Sequence, residues 1–145
     1  MISEEAPLIE QYACHDTGYF PFIMRDGWQV AKLNYMPQQD VKAIHKLDKH
    51  NNTDEVFILL KGTAILIAAE EKGEGNFSFQ CKRMEQGITY NIPKGIWHNI
   101  AMVESTELII VEKDNTHVND YEYFPLSDIQ KNTLEKLIEL SLDNG

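Results

Sequence analysis

The chain has 145 residues and a formal net charge of −10 at pH 7, from 23 acidic and 13 basic residues. This length fits one domain with a single core, since two ordinary cores would need a longer chain. The acidic balance argues against the dense Lys and Arg clusters that nucleic acids and anionic membranes require. We therefore expect neither a nucleic acid nor a membrane as a partner.

The two cysteines, Cys14 and Cys81, lie far apart and form no CXXC pair. The sequence has no recognisable secretory leader and no long apolar span. We therefore expect a cytoplasmic protein in which both residues are ordinary reduced thiols, although the spacing alone leaves a disulfide between them open.

Most of the chain has the pattern of short strands. The segments YFPFIM at 19–24 and WQVAKLNY at 28–35 flank Asp26-Gly27, a dipeptide that suits the positive φ angles of a tight hairpin. Further strands, separated by turns rich in glycine and proline, are predicted at 41–49, 55–60, 63–70, 76–83, 88–92, 97–102 and 107–112. Many short strands of this kind indicate an all-β sandwich or barrel.

The hydrophobic period changes only in the tail, SDIQKNTLEKLIELSL at 127–142. Ser127 is a candidate N-cap, and Gln130 follows three residues later as in a capping box. The apolar residues that then share one helical face are Leu134, Leu137, Ile138 and Leu142. This pattern predicts an amphipathic helix that covers an open edge or end of the sheet, with a dimer contact as the alternative.

Polar residues stand at the start of an apolar strand in HNNTDEVFILLKG, residues 50–62. Asp48 and His50 are two positions apart on a predicted strand, so their side chains share a face. Glu55 begins the next strand, and the alternate positions that follow it are apolar. A carboxylate on such a face needs a cation, a metal or a proton from a partner.

A second polar residue heads an apolar strand in GITYNIPKGIWHNIAM, residues 87–102. His98 opens this strand, and the alternate positions Ile100 and Met102 share its face. His98 therefore stands at the end of an apolar strand face, as Glu55 does.

These two stretches resemble the two motifs of the cupin superfamily, G(X)5HXH(X)3,4E(X)6G and G(X)5PXG(X)2H(X)3N. The first motif is matched in its latter half by three residues with the required spacing: His50, Glu55 and Gly62. The second is matched through its histidine by Gly87, Pro93, Gly95 and His98. The sequence departs from the motifs at three places, with Lys42 for the first glycine, Asp48 for the first histidine and Met102 for the final asparagine.

The resemblance implies an all-β fold, the cupin double-stranded β-helix or jelly-roll barrel, with a C-terminal amphipathic helix. Residues 1–145 would form one cupin domain, with the barrel core at about 19–113 and the helix at about 127–142, and would pair as a homodimer. The family usually holds a divalent transition metal with its motif residues. Carried over, the ligands are Asp48, His50, Glu55 and His98, and this mixed N/O set suits Fe, Mn, Zn or Ni.

Three functions are compatible with this pattern. The first is a metal-dependent enzyme of a small sugar or carboxylic-acid metabolite, of the isomerase, epimerase, lyase or dioxygenase type, with His50, Glu55 and His98 as catalytic candidates. The second is a metal-free enzyme in which a His/carboxylate dyad takes a proton from carbon next to a carbonyl. The third is a non-catalytic cupin that binds a small ligand, and fold likeness cannot choose among them.

The remaining histidines and the YEYF run carry weaker predictions. His45 has the opposite strand parity from Asp48, so we expect it outside the barrel. His15 and His117 lie in predicted loops with no assigned role. The YEYF run at 121–124 is expected to pack the tail onto the barrel.

Overall fold

A computed structural model of the chain describes residues 7–144, which form two five-stranded antiparallel sheets and a C-terminal helix. The strands are β1 (Gly18–Arg25), β2 (Trp28–Asn34), β3 (Lys46–Lys49), β4 (Glu55–Lys61), β5 (Ala64–Gly73), β6 (Asn76–Arg83), β7 (Thr89–Ile92), β8 (Trp97–Met102), β9 (Glu107–Lys113) and β10 (Glu122–Pro125). The helices are a 3-10 turn (Pro37–Gln39), α1 (Thr116–Asn119) and α2 (Asp128–Asp143). The predicted all-β fold with a C-terminal helix is confirmed.

The order of the strands is that of a jelly roll. The first sheet runs β1-β2-β9-β4-β7, and the second runs β10-β3-β8-β5-β6. From β6 to β10 each successive strand lies in the opposite sheet, so the chain winds around the barrel instead of completing one sheet first. The predicted hairpin joins β1 to β2, and its turn residues Asp26 and Gly27 have φ angles of 58° and 85°.

Two parts of the strand prediction are wrong. The strand predicted at 41–49 begins only at Lys46, because residues 41–43 form turns after the 3-10 segment. There the Asp40 carboxylate accepts the Lys42 N–H, and the Asp40 carbonyl accepts the Ala43 N–H, so local hydrogen bonds replace a ladder. The second miss is β10, which was not predicted as a strand and pairs with β3. Its Phe124 packs against the core, as expected for the YEYF run.

One hydrophobic cluster fills the barrel and a second lies outside the second sheet. The barrel cluster includes Phe57, Leu66 and Leu108, all at most 6% exposed. Ile65 and Ile67 point the other way and join the outer cluster, so β5 is buried on both faces. This double burial explains why β5 begins with an unbroken apolar run rather than an alternating one.

The C-terminal helix α2 covers the outer cluster. Leu134 and Ile138 are each 1% exposed there. The helix packs mainly against β6, the edge strand of the second sheet, and against β5 beside it, so it covers the sheet at an open edge as expected. The predicted capping box is present, because the Ser127 hydroxyl accepts the Gln130 N–H and the Gln130 side chain accepts the Ser127 N–H. Within the described residues, no helix combines the length and apolar character needed to cross a membrane.

Gly62, the last glycine of the first motif, is required by a close backbone approach. Its φ is 90°, and a Cβ placed on it would lie 2.5 Å from Thr106 Oγ1 and 2.6 Å from Thr106 Cα. Both values are too short for any side chain at this position.

Cys14 and Cys81 are free thiols, and burial raises the pKa of Cys81 to about 11.

Candidate metal centre

Three motif residues meet at one end of the barrel, where the two sheets face each other. His50 follows β3, His98 lies on β8 beside it, and Glu55 begins β4 in the opposite sheet. Two contacts fix the backbone here. The Gly95 N–H donates to the His50 carbonyl at 2.7 Å, so the turn of the second motif holds the first. The Asp120 carboxylate accepts the N–H groups of the two residues after His50, at 3.0 and 2.9 Å.

The three side chains converge on one carboxylate oxygen. Glu55 Oε1 lies 2.9 Å from His50 Nε2 and 3.0 Å from His98 Nε2. The two imidazole rings are 5.2 Å apart between centroids. Glu55 and His98 are buried and His50 is partly buried, and their ligand atoms lie within 4.8 Å of one another. Two ring nitrogens and one carboxylate oxygen therefore form a compact donor set.

The other ring nitrogens fix how each histidine is protonated. His50 Nδ1 is 2.6 Å from the Asp120 carbonyl, and His98 Nδ1 is 3.0 Å from the Ile96 carbonyl. A carbonyl oxygen only accepts, so both Nδ1 atoms carry a proton and donate it. Both Nε2 atoms then face a second acceptor, Glu55 Oε1. Each ring must hold a second proton at Nε2, or a cation must lie between Nε2 and the carboxylate.

Without a metal ion, the first solution makes a buried ion cluster. Burial disfavours the charged form of His50, but its hydrogen bond to Glu55 and the charge of Glu55 outweigh burial and raise its pKa to about 9. The pKa of His98 is raised by the same balance. Burial alone would raise the pKa of Glu55, yet hydrogen bonds from the two histidines lower it to about 2.

The same arrangement fits a divalent transition ion. Histidine ligands bind metal as neutral rings, and their other nitrogen usually donates to a carbonyl or carboxylate that fixes the ring. Here both Nδ1 atoms donate to backbone carbonyls, which leaves both Nε2 atoms for an ion. Two imidazoles and one carboxylate also form a donor set known for non-haem iron and related metals. The residues present therefore fit the metal that the motif resemblance implies.

Asp48, the expected fourth ligand, is not part of this group. It pairs across the sheet with His98 and lines the same cavity, but the compact donor set contains only His50, Glu55 and His98. Asp48 Oδ1 instead accepts from Lys46 Nζ at 3.1 Å, and its side chain is 26% exposed. An aspartate is also shorter than the histidine that the motif has here, so it reaches less far into the barrel.

The donor set opens into a cavity of about 200 Å³ inside the barrel. Its apolar lining is formed by Leu33, Met36, Phe57, Ile100 and Ile110. The polar residues that line it, besides the three donors, are Tyr19, Gln39, Asp48, Asn99, Glu112 and His117.

His45 is exposed outside the barrel, as expected, and His15 pairs with Glu107 at the surface.

A polar network around Glu112 was missed from the sequence. Glu112 Oε1 accepts from the Tyr19 hydroxyl at 3.2 Å and lies 3.4 Å from Gln29 Nε2, which donates to Tyr19 at 2.9 Å. His117 Nδ1 is 3.4 Å from the same Gln29 nitrogen. Burial, helped by the charge of Glu55, raises the pKa of Glu112 to about 7, and burial raises that of Tyr19. Strand parity was an available signal, because Glu112 shares the inward face of Leu108 and Ile110.

No protein-family model matches the sequence, and no curated protein matches it either. Solved structures do resemble it. The BH2720 protein of Bacillus halodurans is 16% identical with a TM-score of 0.54, over 72% of this chain and 75% of that one. A cupin-2 domain protein of Shewanella frigidimarina is 22% identical with a TM-score of 0.48, over 70% and 84%.

A TDP-quinovose 3,4-ketoisomerase of Campylobacter jejuni is 17% identical with a TM-score of 0.48, over 63% of this chain and 66% of that one. Identities this low bear on the fold alone. The strand order winds between two sheets, and both motif segments meet at one end of the barrel. Together with the likeness to the BH2720 structure, this confirms the jelly-roll barrel that the motif resemblance implies.

Proposed function

We propose that the protein is a metal-dependent enzyme of a small metabolite, in which His50, Glu55 and His98 hold one divalent transition ion. A single observation carries the proposal. Both Nε2 atoms and one carboxylate oxygen converge, while both Nδ1 atoms are committed to backbone carbonyls. The rings are thereby oriented, and their free lone pairs are directed at one place, before any ion binds.

Each residue has a defined task in this proposal. When bound, a divalent ion supplies Lewis-acid polarisation of a substrate oxygen. Glu55 places one negative charge against it, and burial of that carboxylate strengthens its attraction for a cation. Phe57, on the same strand as Glu55, and the other apolar lining residues restrict water in the cavity beside the donors. The metal identity stays a prediction among Fe, Mn, Zn and Ni.

The cavity limits the size of the metabolite. Its volume of about 200 Å³ is below the roughly 300 Å³ at which pockets for drug-sized ligands begin. A small sugar or carboxylic acid fits this limit, and the reaction types that we propose are isomerisation, epimerisation, lyase chemistry and dioxygenation. A ligand-binding cupin without catalysis would use the same cavity.

A metal-free proton-transfer enzyme is the second candidate, and one observation bears on it. His50 and His98 both lie within hydrogen-bond distance of Glu55, which is the dyad that this function needs. However, a pKa of about 9 keeps His50 protonated at neutral pH, so it would act as an acid there and not as the base expected from the sequence.

Metal content of the purified protein tests the proposal. We expect about one transition-metal ion per chain in protein prepared without chelators, as for a three-ligand site with an open position. The variants Glu55→Ala and His98→Ala should lose it. His45→Ala is the matched control, because His45 is an exposed histidine outside the barrel, and it should keep the metal. Absence of metal after loading with several ions, in a folded protein, would overturn the proposal.

We also propose that residues 1–145 act as one cytoplasmic domain and form a homodimer. The apolar stripe of α2 is already covered by the second sheet, so a dimer would use another surface. Light scattering during size-exclusion chromatography tests this, and a mass near 16.7 kDa at all concentrations would contradict the dimer.

A further inference from the structure

Glu112 has one carboxyl oxygen that no other group among residues 7–144 uses. The residue lines the cavity of the metal centre and is 6% exposed. Its Oε1 is hydrogen-bonded to Tyr19, but Oε2 is buried and has no hydrogen-bond partner among the described residues. A buried carboxyl oxygen without a partner costs on the order of 1–3 kcal/mol, so a residue of this kind needs an explanation.

The rest of the network holds Glu112 in place. Gln29 Nε2 donates to the Tyr19 hydroxyl at 2.9 Å, and Gln29 Oε1 accepts the Asn115 N–H at 2.9 Å. Gln29 itself is fully buried. Tyr19 and Glu112 both line the cavity, on β1 and β9 of the first sheet. A fixed polar surface therefore lies on the cavity wall beside the three donors.

The charges around the cavity narrow the chemistry of a ligand. Its lining contains Asp48, Glu55 and Glu112, whereas no Lys or Arg among residues 7–144 lines it. If one anionic group of a ligand binds at the ion, a second anionic group would lie beside these carboxyl groups, with no Lys or Arg side chain among the described lining residues to neutralise it. A hydroxyl group suits this wall better, because it can donate to a carboxylate and can also accept from a carboxylic acid or from Tyr19.

We propose that Glu112 and Tyr19 form a hydroxyl-binding subsite, and that the substrate is a neutral polyhydroxylated metabolite of the sugar class. This inference rests on the proposed function, because one part of the substrate would bind at the ion held by the three donors while a hydroxyl group of the same molecule binds at the subsite. The terminal torsion of a glutamate is broad, so a small rotation of the carboxyl group brings Oε2 to a ligand while Gln29 keeps Tyr19 in place. Hydrogen bonding to a hydroxyl is available in either protonation state of Glu112.

The subsite is tested by ligand binding to zinc-loaded protein with two classes of probe. Neutral pentoses and hexoses probe the subsite, and acetate probes the ion alone, because acetate carries no hydroxyl. Calorimetry or chemical-shift titration gives the affinities. We expect Glu112→Leu to weaken the binding of the best sugar by roughly tenfold, the loss of one to two hydrogen bonds, with acetate affinity unchanged.

Two further variants separate hydrogen bonding from packing. Glu112→Gln keeps the shape and the hydrogen-bonding capacity, so sugar affinity should stay within about threefold of the parent protein. Glu139→Leu, at an exposed position on α2, is the matched control and should change neither affinity. Far-UV circular dichroism confirms that each variant is folded.

Different results would overturn the two proposals. If zinc-loaded protein binds no sugar in the panel, or if Glu112→Leu binds sugar as tightly as the parent, the subsite is wrong. Equal loss of sugar and acetate binding in Glu112→Leu would also overturn it, because the substitution would then act through the ion. Failure of the folded parent protein to take up Fe, Mn, Zn or Ni overturns the proposed function, whereas sugar binding that still depends on Glu112 would leave the subsite standing.

Discussion

Raising the pH should destabilise the metal-free protein, because the histidines of the centre lose their protons. The pKa of His50 is about 9 in the folded protein and 6.5 in its ordinary state. A group with a raised folded pKa contributes stability that is fully present below its unfolded pKa and is lost as the pH rises through the folded value. His98 has a shift in the same direction. The stabilisation should therefore fade between about pH 7 and 9.

The size of this effect follows from the His50 pKa. The difference between about 9 and 6.5 corresponds to roughly 3 kcal/mol at 1.36 kcal/mol per pH unit. We expect a loss of about 2 kcal/mol over pH 7–9, since part of the titration lies outside this window and His50 shares Glu55 with His98. The pKa of Glu112 is raised from 4.5 to about 7, so its contribution to the free energy of unfolding falls as the pH rises from about 4.5 to 7. Most of that fall therefore occurs below pH 7.

Urea unfolding in the presence of a chelator measures this loss directly. The free energy of unfolding is compared at pH 7, 8 and 9 for the parent protein and for Glu55→Gln, which removes the charge that both histidines face. We expect the pH dependence to flatten in the variant. A stability that does not fall between pH 7 and 9 in the parent, or an equal fall in Glu55→Gln, would refute the reasoning.

Other predictions concern the scaffold. Gly62→Ala should lower the free energy of unfolding by about 2–4 kcal/mol, since φ is positive and a Cβ meets Thr106, and unchanged stability would contradict this. Leu134→Ala should cost about 2–5 kcal/mol in the same urea assay, whereas Leu140→Ala, which is 56% exposed, should stay within about 0.5 kcal/mol. Ser127→Ala should cost about 1 kcal/mol through its lost cap, and a change below experimental error would argue against the capping box.

The three donor residues could be predicted from the sequence because each lies within a short motif whose residues have a fixed spacing. The spacing of the first motif places His50 just after β3 and Glu55 at the start of β4, and the Pro93 turn of the second motif fixes where His98 enters its strand. The motif resemblance, together with the strand parity that Asp48 shares with His50, also put Asp48 in the set. Parity fixes the face on which a side chain lies, but it does not fix the length of that side chain or its pairing with Lys46.

What the sequence left out depends on contacts between distant parts of the chain. β10 exists because Glu122–Pro125 pair with β3, more than seventy residues earlier in the chain. Asp120 was overlooked for the same reason, although its carbonyl and its carboxylate hold His50 and the turn after it. The Glu112 network joins three strands, and short-range patterns cannot show that its members meet.

Titration with Zn²⁺ followed by ¹⁵N NMR of the imidazole rings tests the central claim most directly. If His50, Glu55 and His98 hold one ion, the Nε2 signals of His50 and His98 should shift together, and both Nδ1 atoms should keep their protons. The signals of His15 and His45 should not change, and the response should saturate at about one ion per chain. Nε2 signals of His50 and His98 that do not respond to Zn²⁺, in a folded protein, would contradict the account.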